Sequence, residues 1–307
     1  MIRSLYPTDL LSYLFLSRRE LPNQAIARNS LLRRSPFSPE VFLEHWLHLR
    51  GRRHTLVSVE GSRLSSVVSF KRCVAPTAWQ VDYLKADDEE HCIALLDRLS
   101  AAAAEWGVRK LFLRLPATTP LADGARRAGF SCYTKDYLYR HVDESRHNIT
   151  APPEPYQIRT RDRSDEHGLF KLYIAAVPLP VRTAEGMTLE EWQGSREQGS
   201  WFDERREFVL QGRGSLAGWL QITATKGKGC FNIVSHQLGV DELGWLVNYA
   251  LMFLDGKSPI YCVVPAFQGQ LTGILESNGF EQVTECDTML KEVALRVREA
   301  QAIPIRA

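Results

Sequence analysis

The sequence predicts an α/β (α+β) protein of two tandem domains, each a mixed, mostly antiparallel twisted sheet flanked by helices. Three observations lead there. The order strand, helix, strand, helix, Gly-Phe, strand is met twice, in stretches running from Trp79 to Phe130 and from Phe231 to Phe280 and on into a last strand. The segments LADGARRAGF (Leu121 to Phe130) and LTGILESNGF (Leu271 to Phe280) stand at matching places in the two copies. Between the copies, Pro152, Pro153 and Pro155 suppress both helix and ladder pairing. The boundaries that follow are a first domain over 1–147, a Pro-rich linker over 148–155, a second domain over 156–295 and a tail over 296–307.

In chain order, Ile2 to Leu5 reads as a short strand. Pro7 opens a helix carrying Leu10, Leu11, Leu14 and Phe15 at helical spacing, and Ser38-Pro39 opens a second, with Ser38 as cap. His54–Val59 and Leu64–Arg72 form a hairpin about Gly61, and Trp79–Leu84 adds a third strand. Asp87 to Glu90 begin a helix to about Trp106, their carboxylates complementing its positive end, and Gly107 stops it. Val108–Leu115 is apolar enough for a central strand, Pro120–Ala128 is a short helix, and Phe130–His141 is a strand. The second half repeats this order. Tyr156–Arg161 is a strand, Asp165–Val177 a helix and Val177–Gly186 a loop. A helix over Thr188–Glu197 follows, with Thr188 and Glu191 in a capping box. Next come a hairpin over Glu207–Gln211 and Leu216–Thr223, a strand at Gly229–His236 and a helix at Asp241–Leu254. A strand at Ser258–Val264, a helix at Gln268–Asn278 and a strand at Phe280–Lys291 complete it.

Composition narrows the function. A formal net charge of +2 argues against a dedicated nucleic-acid or polyanion binder. Arg18, Arg19, Arg28, Arg33, Arg34, Arg50, Arg52 and Arg53 do crowd the first segment; they read as a solvated helical surface or as a patch for an anionic partner. The cysteines form no C-x-x-C pair and no metal-spaced cluster with histidine, so no metal is expected and a reducing cytoplasm fits best. The first twenty residues read as a helix rather than a signal peptide. No apolar run reaches the roughly 18 residues a membrane span needs, so no membrane partner is expected.

A helix pair, a three-strand meander, then helix, strand, helix, Gly-Phe and strand resembles the GNAT superfamily of N-acyltransferases, and the resemblance covers both halves. It implies acetyl-CoA or another acyl-CoA as cofactor and a small-molecule or peptide amine as partner. In that family R/Q-x-x-G-x-G/A precedes the long helix, where glycines and free N–H groups admit a pyrophosphate. The first half has Lys85-Ala86-Asp87-Asp88-Glu89-Glu90 there. It lacks glycine, and at roughly 4 Å and an effective dielectric of 20 each like-charge contact costs up to about 4 kcal/mol before screening. The second half has His236-Gln237-Leu238-Gly239-Val240-Asp241-Glu242-Leu243-Gly244. Gln237, Gly239 and Gly244 match in part, and Val240 stands where the first motif glycine belongs. The cofactor, if bound, is therefore expected in the second half, at Gln237, Gly239, Val240, Gly244 and Gln268.

The family's tyrosine acid is replaced by Ala125 and Leu275, and its frequent asparagine by Thr118 and Gln268. Candidate bases are Asp82 and, at the end of its strand, His236, whose neutral imidazole can take a proton from an amine. Three functions remain open. One is an acyl-CoA-dependent N-acyltransferase working in the second half. Another is a catalytically inactive ligand-binding or scaffolding protein on the same fold, with Trp192, Trp201 and Phe202 lining a cleft. The third is a transfer-RNA-dependent aminoacyltransferase, which the near-neutral charge disfavours. Both sheets are expected to splay, the second near Ser235 and Val264.

Overall fold

The computed structural model describes residues 1–6, 9, 23–27, 31–32, 53–60, 63–142, 151–197, 204–212 and 214–294. The helices expected after Pro7 and Ser38, most of the arginine-rich segment, Trp201, Phe202 and the tail lie outside the described residues. The first half contains β1 (Ile2–Ser4), β2 (Arg53–Glu60), β3 (Arg63–Arg72), β4 (Ala78–Lys85), α1 (Glu89–Glu105), β5 (Lys110–Pro116), α2 (Leu121–Arg127) and β6 (Ser131–His141). The second contains β7 (Gln157–Thr160), α3 (Glu166–Ala176), α4 (Leu179–Glu185), α5 (Leu189–Ser195), β8 (Glu204–Gln211) and β9 (Leu216–Ala224). It continues through β10 (Gly229–Ser235), α6 (Val240–Phe253), β11 (Ile260–Pro265), α7 (Gln270–Ser277) and β12 (Glu281–Glu292).

All the strands join one 12-stranded sheet in the order β1-β2-β3-β4-β5-β12-β6-β11-β10-β9-β8-β7. That order reads the same from either end when each strand is matched to its counterpart, so a pseudo-two-fold axis passes between β12 and β6. The last strand of each half has crossed over. β12 pairs antiparallel with β5, Cys286 to Glu292 against Pro116 to Lys110, and β6 pairs with β11, Asp136 to His141 against Pro265 to Ile260. Side chains follow the ladder: Met289 is buried in the core of the first half and Tyr139 in that of the second.

Local chemistry sets the element ends. Gly129 and Gly279 take φ values of +85° and +79°, where only glycine is unstrained, and the next residue folds back. Phe130 N–H donates to the Ala125 carbonyl and Phe280 N–H to that of Leu275, each at 3.0 Å. The capping box at Thr188 is present, the Glu191 N–H donating to the Thr188 hydroxyl at 3.2 Å. The expected loop over Val177–Gly186 is instead largely helix. Pro178 is its extended cap and Pro180 lies in the first turn, where a missing N–H breaks no intrahelical bond.

Strand alternation separates two helical layers. On one face Leu95, Leu96 and Leu99 of α1 meet Leu111 and Leu113, while Leu243, Leu246 and Leu251 of α6 meet Leu220, Ile222 and Phe231. On the other, α3, α4 and α5 bring Leu169, Tyr173, Val181 and Trp192 against Val209 and Trp219. The two layers bury successive residues of β8 on opposite faces, as a period of two demands.

Because β6 and β12 are shared, neither half completes its sheet alone. A chain cut at an engineered protease site between residues 142 and 151 should elute as one species and melt in one transition. Fragments that separate without denaturant would contradict the exchanged topology.

Candidate functional site

The parallel strands in each half diverge. β4 pairs with β5 only from Ala78 to Gln80, and β10 with β11 only from Gly229 to Phe231. A strand that leaves its parallel neighbour opens a cleft at its C-terminal end, the usual ligand position in such sheets.

In the first half the chain itself bridges this cleft. Gln24 N–H donates to Leu84 O at 2.9 Å and Ile26 N–H to Arg114 O at 2.9 Å. Leu84 N–H donates to the Asn23 side-chain oxygen at 3.0 Å. The backbone of 23–27 thus satisfies groups on both diverging strands. The start of α1 is closed as well, since the Asp88 carboxylate accepts from His91 N–H at 2.8 Å.

In the second half two cavities lie at the divergence of β10 and β11. A cavity of about 250 Å³ sits at the start of α6, lined by Ser235, His236, Gln237, Leu238, Gln268 and Gly269 among others. The Gln237 backbone has φ +58°, left-handed for a residue with a side chain, which turns the chain sharply from strand into helix. Gly239 is the N-cap, and no side chain caps this helix. The first N–H groups of α6 lack intrahelical partners by geometry, so they are donors for an anion. Gln268 Nε2 reaches Ser235 O at 3.5 Å across the divergence.

The expected residues therefore separate. His236, Gln237 and Gln268 meet around one cavity. Gly239 and Val240 are exposed at the helix start beside it. Gly244 faces α7, where a Cβ would lie 3.9 Å from Ile274, so it serves the helix pair. Asp82, in the first half, is buried on β4 far along the sheet from His236. Ala125 and Leu275, at the position of the family's acid, are fully buried apolar residues.

A second cavity, of about 230 Å³, lies on the α3–α5 face and is walled by both halves. Phe267 lines both cavities, and Asn232, Val234, Val263 and Pro265 of the diverging strands line this one. Trp192 lines it, as the sequence suggested. Its chemistry centres on a residue that sequence reading missed, Glu185, the last residue of α4. The Glu185 carboxylate accepts from Tyr133 Oη at 3.4 Å and Tyr173 Oη at 3.3 Å. Burial pushes its carboxyl up to about 7, helped by the Asp136 charge and opposed by Arg114 and the two tyrosine hydroxyls. Below it, Arg114 pairs with Asp136 at 2.6 Å, and the Thr288 hydroxyl donates to Asp136 at 2.8 Å. Gly186 fixes where Glu185 stands: a Cβ there would lie 2.3 Å from Trp192 N, so α5 packs against bare backbone. The one sequence signal was this glycine after a Pro-containing apolar run, which also describes many loops.

No family model matches the chain, and no curated protein matches it in sequence. Solved structures do match it in fold. A tandem GNAT protein from the clavulanic acid biosynthesis pathway aligns over 97% of this chain and 99% of its own, with a TM-score of 0.59 at 13% identity. A GCN5-related N-acetyltransferase from Sphaerobacter thermophilus aligns over 97% and 96%, with a TM-score of 0.56 at 13% identity. The chain has a tandem GNAT-like fold. Among the described residues no helix is long and apolar enough to cross a membrane, and no group of His, Cys, Asp and Glu has the arrangement of a metal site.

Two variants test this geometry. Since the folded pKa of Glu185 lies above the ordinary 4.5, the stability tied to its protonation is fully present below about 4.5 and lost as pH rises through about 7. Glu185→Gln stays neutral, so its advantage over the parent should be near zero at pH 4 and about 3 kcal/mol at pH 8 in urea titrations. An equal difference at both pH values would contradict the buried carboxylate. Gly186→Ala should lose about 1–3 kcal/mol at any pH, because the new methyl meets backbone.

Proposed function

We propose that the chain is an acyl-CoA-dependent N-acyltransferase that holds its thioester at the second half and receives its amine in the cavity between the halves. One observation carries this: two cavities beside the diverging strands β10 and β11 share Phe267, whereas the chain's own residues 23–27 bridge the matching divergence in the first half. A transfer reaction needs two ligands to meet at one opening without sharing a pocket.

The residues at the start of α6 fit the group. Gly239 offers backbone without a side chain, the uncapped helix start offers N–H donors, and the turn at Gln237 brings the backbone round to them. The acidic Asp241 and Glu242 in the same turn oppose a phosphate and set a limit on affinity. When bound, an acyl-CoA supplies an activated acyl carbonyl and a thiol leaving group. The roles left to the protein are orientation by Gln237, Gln268 and the backbone, polarisation of a carbonyl by strand N–H groups, and exclusion of water by the aromatic wall. His236 lines the cavity given to the coenzyme and not the other, so in this reading it is a contact of the coenzyme rather than the base for the amine.

A second reading, a ligand-binding protein without turnover, is favoured by Ala125 and Leu275: neither half offers a hydroxyl at the position of the family's acid. Titration calorimetry with acetyl-CoA and CoA separates these readings from the absence of any coenzyme site. Gly239 has an extended backbone, and a Cβ there would meet only the flexible end of Glu242, so Gly239→Asp should fold while placing a third carboxylate at the helix start. Micromolar binding weakened at least tenfold by Gly239→Asp is expected. Millimolar ligand producing neither heat nor thermal stabilisation would remove the transferase reading.

A further inference from the structure

The boundary between the two cavities is crossed by three chain segments, each of which passes from one lining to the other. At the end of α3, Ala176 lines the cavity at the start of α6 and Val177 lines the central one. On β10, Val234 lines the central cavity, and Ser235, just beyond it, lines the other. After β11, Pro265 lines the central cavity and Gln268 the other, while Phe267 lines both. Among the described residues no other is common to the two linings. The side chains at this boundary are alike. Val177 is buried in the core under α3, α4 and α5, and Val234 and Phe267 pack against that same core. Polar side chains resume on either side, with His236 and Gln268 in one cavity and Ser195 and Asn232 in the other. A charged group placed among the three apolar residues loses its hydration without a partner, whereas an aliphatic chain gains by leaving water. Phe267 is the bulkiest of the three and is held in the single 3-10 turn Ala266–Gln268. Its ring is the partition that keeps spaces of about 250 and 230 Å³ separate. Nothing in the sequence marks it, since an aromatic residue just past a strand end is ordinarily core.

We propose that Phe267 sets which acyl group the chain accepts: with Val177 and Val234 it seats the acyl chain of the thioester and limits it to a short, uncharged aliphatic group. The proposal rests on the transferase reading and deepens it. A thioester held at the start of α6 directs its acyl carbons along this boundary toward the central cavity. A chain of two or so carbons ends against the ring. A longer chain has to enter the space that the ring fills, and packed cores resist added methylenes. An acyl group ending in a carboxylate meets the same three apolar side chains and is refused for its charge. Removing the ring joins the two spaces, so the central cavity becomes room for a longer chain.

The test is calorimetry of the full chain with acetyl-CoA, hexanoyl-CoA and succinyl-CoA, for the parent and for Phe267→Ala. The parent should bind hexanoyl-CoA no more tightly than acetyl-CoA, and succinyl-CoA at least threefold more weakly. In Phe267→Ala the ratio of hexanoyl-CoA to acetyl-CoA affinity should rise at least tenfold over the parent's ratio. A ring that serves packing alone would not move that ratio, because its loss would weaken all three ligands together. Should Phe267→Ala fail to fold, Phe267→Leu carries the same comparison, with a rise of at least threefold expected. A smaller change of ratio overturns the proposal. So does a parent that prefers hexanoyl-CoA to acetyl-CoA, or one that binds succinyl-CoA as tightly as acetyl-CoA. Acetyl-CoA binding with a ratio indifferent to residue 267 leaves the transferase reading standing and sinks this one. A parent that binds none of the three thioesters removes both.

Discussion

The ion pair between Arg114 and Asp136 sits on the seam that holds the molecule together. Arg114 belongs to β5, Asp136 to β6, and Thr288 of the intervening β12 hydrogen-bonds both, the Arg114 Nε donating to its hydroxyl at 3.1 Å and the hydroxyl donating to Asp136. Three strands that pair only because the halves exchange their ends are thus tied by one buried cluster. Breaking such a pair by removing one partner typically costs about 3–5 kcal/mol, since a charge is left stranded. The cluster also floors the central cavity, where its two charges push the Glu185 carboxyl in opposite directions. Fold and site therefore draw on the same few atoms.

The pseudo-symmetry is strict in the sheet and broken in the clefts. Both halves use the same strand order and the same Gly-Phe turn after the second helix. Yet one divergence is laced by Gln24 and Ile26 to the strands on either side, and its helix start is capped by Asp88. The other has an uncapped helix start and a cavity beside it. Duplicated folds specialise in this way because backbone pairing tolerates many side chains, whereas a ligand site tolerates few. The carboxylates of Asp87 to Glu90 and the segment 23–27 act against an anion and against a backbone-bound ligand respectively, two independent physical obstacles in the same half.

Much of the fold was legible in the sequence because its signals are local. Gly107, Gly129 and Gly279 mark helix ends through the left-handed backbone that they alone adopt without strain. Thr188 and Glu191 announce a helix start through a reciprocal hydrogen-bond pair. His236, Gln237 and Gln268 were singled out through their place in a repeated element order, and the structure gathers them round one cavity. Gly244 was assigned to the same loop, but one turn of helix carries it round to α7. The helix over Leu179–Glu185 was missed because two prolines in sequence suggest a break, although at a helix start neither removes a bond.

The sequence by itself determined the two copies, their element order and the repulsion of anions from the first. Each rests on contacts between residues near one another in the chain. Only the tertiary structure decided that β6 and β12 change places, since an alternating strand pairs equally well with either neighbour and the choice is made by packing. Only the tertiary structure could find Glu185, an ordinary glutamate until the fold buries it against Tyr133 and Tyr173. Its chemistry lies in what surrounds it, and what surrounds it comes from both halves of the chain.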